Sequence, residues 1–232
     1  MEPVLFYGIP HGCSFGSIVA LEWLGQPYRL SRVDMLAKEA GYAHINPTMQ
    51  TPALMLEDGS VLTESLAILH HIAARDLSRG IGFAQGTRAF DELNAMLSYL
   101  HTSVHGAFGM VWNSFKQPEG SPEAAMLRML GRDSTAQVLA NLEAHLADRA
   151  WLVGVQATIA DAYFAAIVRW AEDLQLFDLP REYPAVDRLL RKLEADPAMV
   201  FAHAIEDETP AQSAGGFRGH VTLDTLLPRL AA

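Results

Sequence analysis

Residues 46–68 read NPTMQTPALMLEDGSVLTESLAI, and this stretch alternates turn-forming and apolar segments. The short apolar run at 53–56 predicts a buried strand, and residues 57–60 (EDGS) predict a tight hairpin turn. Residues 61–62 then form the returning strand. Leu66, Leu69 and Ile72 share one helical face and predict a helix over 65–75. The stretch therefore predicts a β-hairpin followed by a covering helix.

The chain before this stretch predicts a strand, a helix and a second strand. Residues 4–7 are apolar and bounded by Pro3 and Gly8, which favours a buried strand. Helical spacing begins at residue 14 and ends at Gly25, and residues 28–33 alternate like a strand. These elements make a parallel βαβ unit. Together the two halves predict an α/β domain of βαβ–ββα order over residues 1–77.

The rest of the chain predicts an all-α domain. Glycines cluster between the two halves, so residues 78–88 are interpreted as a linker. Four helical patterns follow inside an all-helical domain at 89–206, namely 90–111, 124–146, 159–176 and 184–195. The segment 207–232 is polar, then glycine-rich, then weakly amphipathic over 223–230, and we interpret it as a tail whose order the sequence leaves open.

Composition narrows the classes of partner and the compartment. The 232 residues carry a formal charge of −10 without a basic run, which argues against nucleic acids and anionic membrane surfaces. The single cysteine, Cys13, excludes an internal disulfide and a Cys-rich zinc site, and it fits a reducing compartment. The N-terminus does not read as a signal peptide, and no run reaches the ~20 apolar residues of a membrane span. The sequence therefore predicts a cytoplasmic protein.

Three motifs in this order resemble the soluble glutathione transferase superfamily. They are NPTMQTPAL at 46–54, LTESLAI at 62–68 and TIADAY at 158–163. The resemblance implies a thioredoxin-like first domain, an all-helical second domain and a glutathione site in the cleft between them. It also implies glutathione as co-substrate and a homodimer as the assembly.

Other segments resemble the bacterial beta class within that superfamily. They are Phe6-Tyr7, Gly12-Cys13-Ser14, residues 97–108 and Arg169-Trp170-Ala171. The loop before Cys13 is one residue longer than the usual beta-class pattern, and the segment after Asp207 has no counterpart in that pattern.

The resemblance assigns the glutathione-binding residues to Thr51, Pro52, Glu64 and Ser65. Ser65 is expected to cap a helix whose free N–H groups attract the γ-glutamyl carboxylate, while Glu64 pairs with the ammonium. A cis bond before Pro52 would present the backbone of Thr51 to the cysteinyl unit. The structural alternatives are a plain helix cap and an ordinary trans proline.

Catalysis is assigned by the resemblance to Cys13 and His105. Cys13 starts the first helix, a position that lowers a cysteine pKa, and Gly16 three residues on excludes an internal dithiol cycle. The alternatives are a buried inert cysteine, or Tyr7 or Ser14 as the thiolate stabiliser. For Tyr7 a role in the core is preferred.

The second-domain residues complete the expected site. The resemblance places His105 facing the cleft, whereas His101 is interpreted as structural. A zinc site is not expected, because Thr102 stands where a His-Glu-x-x-His motif needs glutamate. An apolar wall for the electrophile is expected from Phe108, Trp112 and Trp170, with core packing as the alternative.

The resemblance thus implies a glutathione transferase that conjugates glutathione to hydrophobic electrophiles or exchanges it with disulfides. Two alternatives stay open, namely a non-catalytic glutathione-binding or regulatory protein and a glutathione-dependent isomerase or dehalogenase. Asp161 is interpreted as structural, because Thr158-x-x-Asp161 resembles a capping box. Asp161→Ala is therefore expected to harm stability more than chemistry.

Overall fold

A mixed five-stranded sheet forms the first half of the protein. The computed structural model describes residues 2–9, 12–37 and 39–227. The strands are β1 (Val4–Ile9), β2 (Tyr28–Asp34), β3 (Ala53–Met55), β4 (Val61–Thr63) and β5 (Phe217–His220). Their spatial order is β4-β3-β1-β2-β5. β1 and β2 are parallel, and the β3–β4 hairpin runs antiparallel beside β1. The predicted thioredoxin-like arrangement is confirmed.

Two helices cover one face of this sheet, α1 (Ser14–Leu24) and α2 (Ser65–Ala74). α1 is buried along almost its whole length, because it is sandwiched between the sheet and the second half of the protein. A Cβ on Gly16 would lie 2.9 Å from the carbonyl oxygen of Ala162, so only glycine permits this approach. Gly25 ends α1 in the left-handed conformation, with φ of 73°.

The second half is all helical, as predicted. Its helices are α3 (Arg88–Tyr99), α4 (Gly109–Ser114), α5 (Pro122–Leu146), α6 (Ile159–Val168), α7 (Trp170–Asp173), α8 (Leu179–Glu182), α9 (Pro184–Glu194) and α10 (Pro197–Glu206). A π-helical turn, Leu100–His105, continues from α3 and interrupts the single helix expected over 90–111. The helix expected over 159–176 is likewise divided between α6 and α7. α8 and α10 lie outside the four predicted helical segments.

The buried helix α6 begins at a complete capping box. The backbone N–H of Thr158 donates to Asp161 at 2.8 Å, and the Thr158 hydroxyl accepts from Ala160. Asp161 also accepts from the N–H of Leu152 at 3.1 Å. All ten residues of α6 are buried, so this helix is the centre of the shared core. The structural interpretation of Asp161 is confirmed.

The described part of the segment after Asp207 contributes a strand to the sheet. This answers, for residues 208–227, the question of order that the sequence left open. β5 runs parallel to β2 and covers what would otherwise be its free edge. The carboxylate of Glu22 on α1 holds the segment by accepting from the Ser213 hydroxyl and from the N–H groups of Ala214 and Gly215. The helix α11 (Leu223–Leu226) then packs under the opposite sheet face. The last part of the amphipathic stretch predicted over 223–230 lies outside the described residues.

Within the described part of the chain, no helix has the length and apolar character to cross a bilayer.

Candidate active site around Cys13

Cys13 lies where β1 ends and α1 begins, at the edge of a cavity of about 220 Å³. The cavity is lined by Cys13, Met35, Asn46, Gln50, Thr51, Pro52, Glu64, Ser65, His101 and His105. It therefore contains both predicted catalytic residues and all four predicted glutathione-binding residues. These residues come from both halves of the protein, so the cavity is a cleft between them.

Two polar groups surround the sulfur of Cys13. The thiol points to the carbonyl oxygen of Thr51 at 3.6 Å, and the Ser65 hydroxyl lies 3.5 Å from Sγ. The peptide bond between Thr51 and Pro52 is cis, as the resemblance implied. A group bound beside Sγ would meet a backbone edge on one side and a hydroxyl on the other.

The pKa of Cys13 is raised, which is opposite to the direction expected from its position at a helix start. Burial is the largest cause, while the Ser65 hydroxyl opposes it by stabilising the thiolate. The carboxylates of Glu206 and Glu64 add to the rise. Without a ligand, Cys13 is therefore a protonated thiol at neutral pH. The helix start does not compensate for the removal of water.

Ser65 differs from its predicted role as a helix cap. Glu64 occupies the cap position, with φ of 71°, and no side chain caps this helix. Ser65 is instead the first helical residue, and its hydroxyl faces the sulfur of Cys13. The free N–H groups at the start of α2 therefore remain open to an anion. A non-glycine residue at positive φ is strained backbone, a feature that clusters at ligand sites.

His101 and His105 lie on the π-helical turn and converge on one hydroxyl. Nδ1 of His101 is 2.9 Å from the Tyr163 hydroxyl, and Nδ1 of His105 is 3.1 Å from the same oxygen. Burial lowers the pKa of His105, and the neighbouring His101 lowers it further. His105 faces the cavity as expected, but it is paired with Tyr163. His101, which the sequence analysis interpreted as structural, lines the same cavity.

Tyr163 is the site residue that the sequence analysis missed. Its side chain is fully buried, and burial raises its pKa, with the charge of Cys13 as the next cause. The Ser65 side chain opposes the rise by hydrogen bonding. Tyr163 therefore connects the histidine pair with the polar groups around the sulfur. The residue is the last of the TIADAY motif, but the sequence analysis gave it no role.

Tyr7 and Ser14, the alternative thiolate stabilisers, are used elsewhere. The Tyr7 hydroxyl is 3.1 Å from Nε2 of His220 on β5, and it lines a second cavity of about 550 Å³. Burial raises the pKa of Tyr7 to about 12. The Ser14 hydroxyl accepts from the N–H of Gly8 at 3.3 Å. Tyr7 thus anchors the C-terminal strand β5, and Ser14 holds the loop after β1. Among the described residues, neither hydroxyl is hydrogen-bonded to the sulfur of Cys13.

The three aromatic residues expected to line the electrophile pocket form an edge-to-face cluster. Ring centroids of Trp170 lie 5.5 Å from Phe108 and 5.2 Å from Trp112. Phe108 and Trp170 are buried, so their main role is packing in the core. Trp112 is partly exposed. The cluster reaches the cleft through His105, whose ring lies 5.3 Å from Trp170.

No group of three or more His, Cys, Asp or Glu side chains in the described ranges is arranged to hold a metal ion. The cavity also carries no Lys or Arg among its lining residues. Anion binding there depends on hydroxyls and on backbone N–H groups.

Two family models and a curated relative that match this chain name glutathione S-transferase. The family model for the N-terminal domain of glutathione S-transferase matches residues 13–75, and the model for the C-terminal domain matches residues 107–197. Glutathione S-transferase GstA of Escherichia coli O157:H7 is 31% identical over 176 residues, which cover 74% of this chain and 84% of that protein.

Solved structures agree with the sequence comparisons. A sphingomonad glutathione S-transferase complexed with glutathione is 30% identical, with a TM-score of 0.78 over 88% of this chain and 98% of the other. A beta-class glutathione S-transferase of Sphingomonas chungbukensis is 26% identical, with a TM-score of 0.78 over 88% of this chain and 98% of the other.

Proposed function

Because this chain belongs to the glutathione S-transferase family, we propose that it binds glutathione beside Cys13 and transfers it to hydrophobic electrophiles. The observation that carries the proposal is the position of the Cys13 sulfur, held between the Thr51 carbonyl and the Ser65 hydroxyl at the edge of an open cavity. The uncapped N-terminus of α2 and the backbone of Thr51 both lie beside this sulfur.

Each part of glutathione has a matching group in the cavity. The γ-glutamyl carboxylate suits the Ser65 hydroxyl and the N–H groups that begin α2. The ammonium suits the exposed carboxylate of Glu64. The cysteinyl backbone suits the N–H and C=O of Thr51, by strand-like pairing. The thiol would then lie next to Cys13.

Conjugation requires the glutathione thiol to lose its proton to solvent and its sulfur to attack an electrophilic carbon. With an aryl halide, the new carbon–sulfur bond replaces the carbon–halogen bond, and halide leaves. The Ser65 hydroxyl is used by the γ-glutamyl carboxylate, so the Cys13 thiol is the group that donates a hydrogen bond to the glutathione sulfur. The raised pKa of Cys13 suits this role, because only the protonated thiol donates.

Disulfide exchange is the second activity of the same residues. The Cys13 thiolate would attack the glutathione sulfur of a mixed disulfide, releasing the other thiol and forming a Cys13–glutathione disulfide. A second glutathione thiolate would attack that disulfide, giving oxidised glutathione and restoring Cys13. Because this route needs the Cys13 thiolate, its rate is expected to climb with pH more steeply than the conjugation rate.

The test is turnover of an aryl halide and of a glutathione mixed disulfide by the wild type and by Cys13→Ala. We expect exchange to be lost and conjugation to fall, because one hydrogen-bond donor is removed. Ser17→Ala is the matched control, since Ser17 is a buried hydroxyl one turn along the same helix. Rates for Cys13→Ala equal to those of the control in both assays would refute the role of Cys13.

We also propose that the protein is a cytoplasmic homodimer. A single free thiol suits a reducing compartment. Large apolar side chains lie exposed on two neighbouring helices of the second half, namely Met110 on α4 and Met126, Met129 and Leu130 on α5. Such a patch favours a protein interface. Light scattering after size exclusion measures the mass, and a monomer at micromolar concentration would contradict the dimer.

A further inference from the structure

A buried ion pair joins two helices of the second half directly behind Cys13. Arg169 lies between α6 and α7, and Glu206 is the last residue of α10. Nη1 of Arg169 is 2.7 Å from Oε2 of Glu206, and Nη2 donates to Oε1 at 3.1 Å. The two side chains are only 6% and 0% exposed. Such pairs lose much of their Coulomb energy to desolvation, so stability alone explains them poorly.

The ion pair makes hydrogen bonds to both backbone polar groups of Gly12, the residue before Cys13. The N–H of Gly12 donates to Oε1 of Glu206 at 3.4 Å, and Nη2 of Arg169 donates to the carbonyl oxygen of Gly12 at 3.4 Å. The Arg169 guanidinium also lies 4.1 Å from the ring centre of Phe15. The pair therefore contacts residues on both sides of Cys13 in the sequence.

We propose that Arg169 and Glu206 are positioning residues for Cys13, holding the loop from the second half of the protein so that the sulfur stays between Thr51 and Ser65. The inference rests on the proposed function in so far as Cys13 is the thiol beside glutathione. Gly12 accepts and donates only long hydrogen bonds, but both partners are charged, which strengthens each bond.

Loss of the Arg169–Glu206 ion pair is expected to favour the thiolate form of Cys13. The carboxylates of Glu206 and Glu64 raise the pKa of Cys13, and the Ser65 hydroxyl lowers it by hydrogen bonding. The other charged or titratable groups near the sulfur are the Arg169 guanidinium, the Tyr163 hydroxyl and the rings of His101 and His105. When the loop is released, water reaches Sγ and the influence of the Glu206 carboxylate disappears. Loss of the Glu206 carboxylate favours the thiolate, and loss of the Arg169 guanidinium disfavours it. Burial is the largest cause of the raised pKa of Cys13, so the entry of water decides the direction, towards the thiolate. If the pair only stabilised the fold, its removal would change the midpoint of unfolding and leave the reactivity of the Cys13 thiol unchanged.

The main variant is Arg169→Met/Glu206→Leu, which removes both charges together and leaves neither partner buried alone. Replacing such pairs by apolar residues is often tolerated. The matched control is Arg132→Met/Glu182→Leu, on α5 and α8. Arg132 also pairs with a glutamate, donates to the carbonyl oxygen of Leu176 and lies over the ring of Phe177.

The measurement is the rate of Cys13 alkylation by iodoacetamide across pH, followed by intact mass. Cys13 is the only cysteine, so the signal belongs to one atom. We expect the main variant to react about tenfold faster at pH 8, with its inflection about one pH unit lower. Turnover should show kcat reduced about tenfold and KM for glutathione changed less than about twofold, because the glutathione contacts stay in place.

A folded main variant whose alkylation profile matches the wild type and the control would overturn the proposal. If the main variant does not fold, Arg169→Lys takes its place, because the ammonium keeps the charge that pairs with Glu206 but lacks the second nitrogen that donates to the carbonyl oxygen of Gly12. An unchanged profile in that variant would equally overturn the proposal. Alkylation needs no glutathione, so an inactive wild type would refute the proposed function without deciding this test.

Discussion

Asp161→Ala should destabilise the protein by an amount that depends on pH. The Asp161 carboxyl group accepts hydrogen bonds from the backbone N–H groups of Leu152 and Thr158 and from the Thr158 hydroxyl. Asp161 and Thr158 are fully buried, so water cannot replace the lost oxygens. Each buried N–H left without a partner costs about 1–3 kcal/mol, which gives an expected loss of about 4 kcal/mol when the wild-type group is neutral.

The pH dependence follows from burial of the same group. Burial raises the pKa of Asp161 from 3.8 to about 6, against the hydrogen bonds that lower it. A carboxyl with a raised folded-state pKa stabilises the fold below its unfolded pKa, and this contribution disappears as pH rises through the folded pKa. The full contribution of this raised pKa to the free energy of unfolding is about 3 kcal/mol, and about 2 kcal/mol of it is lost as the pH rises from 4.5 to 8.

The expected cost of Asp161→Ala is therefore about 4 kcal/mol at pH 4.5 and about 2 kcal/mol at pH 8. Urea unfolding followed by tryptophan fluorescence gives both values. Asp148→Ala is the control, because Asp148 is exposed on the same half of the protein. A cost for Asp161→Ala that is constant with pH would refute the reasoning about burial, and a cost near zero at both pH values would refute the capping role.

Three further predictions concern the tail and the site. Glu22→Ala should lower stability by about 2–4 kcal/mol, because two tail N–H groups lose their acceptor, and should speed hydrogen exchange in Phe217–His220; unchanged exchange would exclude Glu22 as the anchor. Tyr163→Phe removes the hydroxyl that holds His101 and His105 at the cavity, so it should lower kcat about tenfold at unchanged KM for glutathione, and steady-state kinetics equal to wild type would remove Tyr163 from the site. Ser65→Ala should weaken glutathione binding about tenfold, and equal affinity in a titration would contradict the role of its hydroxyl.

Local patterns predicted the first half of the fold well. Residues 46–68 predicted the β3–β4 hairpin and α2, because apolar runs separated by turn residues leave few other arrangements. The Thr158–Asp161 capping box was also predicted, because its hydrogen bonds join residues three apart. Such features depend on short-range geometry, which a sequence displays directly.

Features that depend on distant residues were not predicted. β5 is short and contains Gly219, and it forms because the β2 edge and the Glu22 carboxylate are available to it. Tyr163 belongs to the site only because the π-helical turn brings His101 and His105 to its hydroxyl. The raised pKa of Cys13 likewise reflects burial by the second half of the protein, which no local pattern reports.

Calorimetric titration of the wild-type protein with glutathione tests the cavity beside Cys13 most directly. We expect one site per chain, and we expect Ser65→Ala to bind more weakly while Ser17→Ala binds like the wild type. Saturation with glutathione should also protect Cys13 from iodoacetamide. Absence of heat at millimolar glutathione, together with unprotected alkylation of Cys13, would contradict glutathione binding at this cavity.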